Sequence, residues 1–205
     1  MLSFFRKKNV VYDKKNVVYD ESFFLEQWFD SWGDLKYILK NLIESQFNNR
    51  KILDFGCGPG VMIDIMNESK IDYIGCDYSI EARQLYLKNY GKFQEKYLSQ
   101  IPEDKNFDLF LSFDVFEHLS DKEIGEILEK IKGTPYLFLN ISRAKGIPGH
   151  INLKTDRQWV KYFESKQYKY MQTETDMIRK LYIKLKPDKS ELWHKNIFIF
   201  NSINK

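Results

Sequence analysis

With 205 residues, 43% hydrophobic and 16% aromatic, the chain is sized for one domain with a substantial core. Lys plus Arg number 32 and Asp plus Glu 29, and the net charge of +3 excludes a strongly basic nucleic-acid coat or an acidic tail. Two cysteines, Cys57 and Cys76, exclude a disulfide scaffold and lead us to expect a cytoplasmic setting.

In chain order, Met1 to Lys8 carries too short an apolar stretch, with charge in the wrong order, for a secretory signal. No apolar run approaches the ~18 residues of a membrane span. Lys7-Lys8-Asn9-Val10-Val11-Tyr12-Asp13 is followed at once by an identical heptad, residues 14–20. Two short units do not make a solenoid. They leave either an exposed arm or an arm that folds over a ligand and supplies Tyr12 or Tyr19. Leu25, Trp28, Phe29, Trp32, Leu35, Leu39, Leu42 and Ile43 then recur at three- and four-residue spacing, which predicts a helix over 21–46. Gly33 weakens its middle by about 1 kcal/mol.

Beyond Arg50 short apolar runs alternate with amphipathic stretches. Strands are predicted over 51–55, 73–76, 93–98, 107–113 and 136–140, and helices over 61–68, 80–89 and 121–131. Ser120-x-x-Glu123 and Thr155-x-x-Gln158 read as capping boxes, the second opening a helix to about residue 166. Residues 168–173 read as a strand, 177–185 as helix or strand, and 196–203 as a closing strand. In that strand Phe198 and Phe200 share one face and Ile197 and Ile199 the other. This alternation predicts an α/β fold with a parallel sheet covered on both sides.

Ile52-Leu53-Asp54-Phe55-Gly56-Cys57-Gly58-Pro59-Gly60 runs a strand into three alternating glycines and then a helix. Glycine there permits tight turning and close approach to a ligand, with free N–H groups behind it. A dinucleotide fingerprint would need glycine where Val61 stands, and a P-loop would need Gly-Lys-Ser/Thr. Asp54 would repel a pyrophosphate but suits an ammonium. Asp77 follows at about the ~20-residue distance of a carboxylate that grips ribose hydroxyls. A nucleoside joined to an amino acid, without phosphates, meets both demands, and S-adenosylmethionine is such a ligand.

Residues 52–60, 75–79 and 107–119 resemble, in order and spacing, the first, second and fourth motifs of class I S-adenosylmethionine-dependent methyltransferases. The resemblance covers roughly residues 50–145. It implies a Rossmann-like, doubly wound, seven-stranded sheet, mostly parallel with an antiparallel last strand, plus an N-terminal helical segment. We expect a single domain over 1–205, with arm and helix in 1–47 and the core in 50–205. It also implies S-adenosylmethionine as cofactor and S-adenosylhomocysteine as product. Asp54 and the backbone of Gly56, Cys57, Gly58 and Gly60 would hold the methionine part, Asp77 the ribose, and Tyr78 the adenine. Ser99 or Gln100 stands where the family often has an acid for the adenine amino group. Asp114 is a candidate for both the cofactor and the acceptor side.

Asp114, Glu117 and His118 lie at spacings that one helical turn would bring together. Three readings stay open. His118 is a general base; or Asp114, Glu117 and His118, with His150, hold a divalent ion; or the segment only structures its loop. The second resembles the Glu-x-x-Glu-His pattern of small-RNA 2′-O-methyltransferases and ubiquinone-pathway O-methyltransferases, with Asp for the first Glu. His150, in Ile147-Pro148-Gly149-His150-Ile151-Asn152-Leu153, is a further acceptor-side candidate, and its loop is similar to one in polysaccharide- and small-molecule-pathway methyltransferases. Arg143 could meet an anionic acceptor. A Pro-Pro-aromatic motif is missing after residue 111, both cysteines fall in the cofactor half, and lysines are scattered, so a nucleic-acid acceptor is disfavoured. The expected activity is methyl transfer to an oxygen or nitrogen of a small molecule or sugar of a glycan pathway. The alternatives are a metal-assisted RNA 2′-O-methyltransferase and a non-catalytic S-adenosylmethionine binder.

Overall fold

A computed structural model of the chain describes residues 35–46, 51–103, 106–185 and 194–203. The duplicated heptads and residues 21–34 of the predicted first helix lie outside the described residues. What is described of that helix is α1, Leu35–Gln46, which buries Leu39, Leu42 and Ile43. Then follow β1 (Ile52–Phe55), α2 (Val61–Glu68), β2 (Tyr73–Cys76), α3 (Ile80–Asn89), β3 (Tyr97–Leu98) and β4 (Leu109–Phe113). The chain continues through α4 (Asp121–Lys130), β5 (Tyr136–Asn140), α5 (Asp156–Ser165), β6 (Tyr168–Tyr170), α6 (Gln172–Leu185) and β7 (Ile197–Ser202).

The strands form one seven-stranded sheet in the order β3-β2-β1-β4-β5-β7-β6. Strands β1 to β5 pair in parallel, and β7 runs antiparallel to both β5 and β6. This is the α/β arrangement that the alternation predicts, in the Rossmann-like form with an antiparallel strand that the resemblance implies. Side-chain alternation along each strand sorts the core into two layers. Ile52, Tyr73, Tyr97, Leu109, Leu111, Ile197 and Ile199 face the buried residues of α1, α2 and α6. Leu53, Phe110, Leu137, Leu139, Phe198 and Phe200 face α4 and α5, whose Trp159 and Phe163 are fully buried. The alternation read from residues 197–200 is therefore realised as opposite faces of the sheet.

Both capping boxes form, Ser120 with Glu123 and Thr155 with Gln158. Two expectations are corrected, and one that was open is decided. The strand predicted over 93–98 shrinks to Tyr97–Leu98, preceded by a 3-10 turn at Gln94–Lys96. The Phe93 N–H is taken by the Tyr86 hydroxyl at 3.2 Å and so makes no ladder bond there. The strand predicted over 168–173 ends at Tyr170, because α6 starts at Gln172. The ambiguous stretch 177–185 is helical throughout, with Ile178 and Tyr182 buried at four-residue spacing.

Candidate active site

The strand order reverses direction between β1 and β4, and in open α/β sheets ligands bind beyond the carboxyl ends of the strands at such a switch. The glycine loop stands there. Gly56, Gly58 and Gly60 have φ of 76°, 53° and 67°, left-handed values that favour glycine at all three positions. Gly56 lies so close to Val115 that an added Cβ would come within 2.3 Å of its Cγ2. The loop leaving β1 thus rests on the segment leaving β4. Ser112 reinforces this contact by donating to the Phe55 carbonyl at 2.9 Å.

Asp77 is the anchor of the loop. Its Oδ2 accepts the Gly58 N–H at 2.9 Å and its Oδ1 the Ser79 N–H at 2.8 Å. Burial pushes its carboxyl up, and these N–H bonds pull back down. A carboxylate has about four acceptor sites, so two backbone donors leave capacity for hydroxyls of a ligand. Asp54, on β1, is 6% exposed and accepts the Tyr73 hydroxyl at 2.7 Å. Its pKa is pushed up to about 7, first by burial, against the opposing Tyr73 hydrogen bond and with a contribution from Asp77. Among the described residues no Lys or Arg pairs with Asp54 or Asp77. Two acids with no paired cation among the described residues can take a cationic group.

Cys57 is buried, and burial pushes its thiol well up, which makes it lining rather than nucleophile. Tyr78 stands 68% exposed just beyond Asp77. Ser99 and Gln100 are exposed beyond the end of β3.

On the acceptor side, Asp114 has a left-handed φ of 54°, and its N–H bonds the Asn140 carbonyl at 2.9 Å. The helical turn expected over 114–118 does not form. A 3-10 turn spans only Phe116–His118, so Asp114 precedes it. The turn buries Glu117 completely. Its Oε1 accepts the Ser142 N–H at 3.0 Å, whereas its Oε2 is buried without a hydrogen-bond partner. Burial, followed by the Asp114 charge, pushes the Glu117 carboxyl well up.

The structure brings His118 and His150 together, their rings edge-to-face at 4.7 Å between centroids. Burial, then the neighbouring His150, lowers His118 to about 4; burial also lowers His150. Both imidazoles are therefore neutral near pH 7. His150 Nδ1 lies 3.0 Å from the Ala144 carbonyl, which can only accept, so Nδ1 carries the proton. Its Nε2 then offers a lone pair 4.0 Å from Glu117 Oε1. Glu117, His118 and His150 each offer one ligand atom within 4.8 Å of the others; Asp114 falls outside this trio. Arg143 is engaged by Asp156 at 2.5 Å and Asn196 at 3.2 Å.

Sequence reasoning missed Tyr73, Tyr97 and Val115. Tyr97 donates to the Gly58 carbonyl at 2.8 Å, beneath the loop. These contacts follow from strand register and from the loop crossing, and no motif spacing announces them.

A family model described as a methyltransferase domain matches residues 26–134, more than half of the chain. The chain belongs to the methyltransferase-domain family. A curated relative, the ubiquinone biosynthesis O-methyltransferase of Pelagibacter ubique (strain HTCC1062), is 29% identical over 136 residues. That match covers 51% of this methyltransferase-domain chain and 56% of the relative, so the chain spans little more than half of the relative's length. Among solved structures, the fold is similar to magnesium protoporphyrin IX methyltransferase from Synechocystis PCC 6803 with bound SAH (S-adenosylhomocysteine). The TM-score is 0.58 at 12% identity, covering 90% of this chain and 97% of that one. The plantazolicin methyltransferase solved with a pentazolic analogue and SAH gives a TM-score of 0.60 at 13% identity, covering 88% of each chain. Among the described residues no helix is long and apolar enough to cross a membrane.

Proposed function

We propose that this chain transfers a methyl group from S-adenosylmethionine to a hydroxyl of a small-molecule acceptor. The observation that carries this reading is the contact of Gly56 with Val115, which seats the glycine loop beside the segment bearing Glu117 and His118. The donor set fits the cofactor. Asp54 and Asp77 want a cation, and Asp77 keeps acceptor capacity for ribose hydroxyls. When bound, S-adenosylmethionine supplies an electrophilic methyl group on a sulfonium.

The chain's own residues do the rest by position. Asp54 holds an ammonium, and the backbone of Gly56, Cys57, Gly58 and Gly60 forms the floor. Tyr78 offers an exposed ring for the adenine, and Ser99 a hydroxyl near its edge. Neutral His118 or His150 accepts the acceptor's proton, and alignment supplies most of the acceleration. The hydroxyl is favoured over an amine because the curated relative is named an O-methyltransferase. A sugar acceptor is supported only by the likeness of the His150-Ile151-Asn152 loop.

A second reading is favoured by the trio Glu117, His118 and His150, and Glu117 also has Oε2 buried without a hydrogen-bond partner. Two neutral imidazoles and one carboxyl suit a divalent ion, which when bound would lower the pKa of an acceptor hydroxyl. A hydroxyl-rich acceptor pool incubated with labelled cofactor, with and without chelator, separates the readings. Label in small molecules that persists under chelation and drops at least tenfold in His118→Ala supports the first. Loss under chelation with recovery on adding a divalent cation selects the second. Label in RNA alone would transfer the activity to nucleic acid. Cofactor binding without label in any fraction would leave a binding protein only.

A further inference from the structure

Tyr73 is fully buried at the start of β2, and its hydroxyl donates to Asp54 at 2.7 Å. Resting on the cofactor reading above, we propose that Tyr73 is the positioning residue for the amino-acid end of S-adenosylmethionine, acting through Asp54.

The backbone around Tyr73 is held in place. Asn67 Nδ2 donates to the Tyr73 carbonyl at 2.7 Å, and the Tyr73 N–H reaches Asn67 Oδ1 at 3.4 Å. Parallel register sets Asp54 beside Gly75, two residues along β2 from Tyr73 and on the same face. A side chain at position 75 would collide with Ile63 Cδ1 at 2.6 Å and Cys57 Sγ at 2.8 Å, so that space is already filled. The Asp54 carboxyl therefore finds its donor diagonally, at Tyr73.

A fully buried phenol cannot touch a ligand, and a phenol paired with a buried acid is an expensive way to fill a core. Phenylalanine beside an apolar residue would pack the same volume without two polar groups to satisfy. Asp54 lies two residues before Gly56, the first glycine of the loop, and no Lys or Arg among the described residues balances it. Burial works against the charged carboxylate, and the Tyr73 hydrogen bond is the contribution that favours it. It also fixes one oxygen, so the other is oriented. The ligand group that gains is the ammonium, which the adenosine half of the cofactor lacks.

That asymmetry supplies the test. S-adenosylhomocysteine carries the amino-acid end, whereas 5′-methylthioadenosine keeps the nucleoside and thioether without it. Calorimetric titration of both into the full chain is the measurement. Tyr73→Phe is expected to weaken S-adenosylhomocysteine about tenfold or more and to leave 5′-methylthioadenosine within twofold. In an Asp54→Asn background the same substitution should change neither affinity, because the two side chains act as one unit. Equal weakening of both ligands would make Tyr73 merely structural and overturn the proposal, as would unchanged affinity for both or additive effects in the cycle. If the unsubstituted chain binds neither ligand, or Asp77→Ala binds both as well as it does, the cofactor reading falls and takes this proposal with it.

Discussion

Gly56 shows how little room the chemistry leaves at a single residue. Its φ of 76° is left-handed, and a methyl group there would sit 2.3 Å from Val115 Cγ2 and 3.3 Å from Cγ1. Gly56→Ala is expected to destabilise the fold by about 1–3 kcal/mol, from backbone strain and overpacking together. It should also weaken S-adenosylhomocysteine binding, since the loop must lift off Val115. Urea unfolding and ligand titration check both. Gly125, inside α4, is the contrast. An added Cβ there meets only the Lys166 ammonium at 3.8 Å. Gly125→Ala should leave binding unchanged and stabilise by about 0.5–1 kcal/mol, the helix-interior difference between the two residues. The alternating glycines are legible in the sequence; which of them is pressed against a neighbour is not.

Among the elements, the loop between β5 and α5 is tied at both ends to Glu117. Glu117 holds the Ser142 N–H through its carboxyl, and its main-chain carbonyl takes the Ile151 and Asn152 N–H groups, each at 2.9 Å. The two ends of the His150 loop are therefore tied to one residue of the 3-10 turn. Glu117→Ala removes only the carboxyl tie. Hydrogen exchange at Ser142 is expected to rise about tenfold or more, from a lost hydrogen bond to a buried acceptor, while Ile151 and Asn152 change less. Equal exposure at all three amides would mean that the turn itself unfolds. The capping boxes that open α4 and α5 belong to this scale too, and they were readable because a cap lies within four residues of chain.

At the scale of the whole molecule, one sheet separates two apolar layers and carries the site along its edge. At the candidate site Cys57 belongs to one layer and Phe55 and Phe116 to the other, so ligand binding there acts on the stability of both together. S-adenosylhomocysteine at a hundred times its Kd should stabilise by about 2.7 kcal/mol. For a chain of this size that raises Tm by roughly 5–10 °C, and Asp77→Ala should abolish the rise. Scanning calorimetry with and without ligand reads it. A Tm that does not move with ligand would argue against a cofactor site at this edge.

The sequence alone carries the sheet-and-helix alternation, the glycine loop with its two acids, the caps, and the two faces of the closing strand. Apart from the ~20-residue reach from the loop to Asp77, each is a pattern of period two, three or four, set by backbone geometry within a few residues. It misjudged β3, where a tyrosine hydroxyl from α3 takes an amide that a strand would have used. It also placed Asp114, Glu117 and His118 on one helical turn that a left-handed residue at 114 prevents. It takes the folded arrangement to show that Tyr73 donates to Asp54, that Gly56 meets Val115, and that His150 joins His118 and Glu117. Those contacts depend on which strands lie side by side and where loops cross the sheet edge. Packing of distant segments sets such neighbours, and local spacing along the chain carries no record of them.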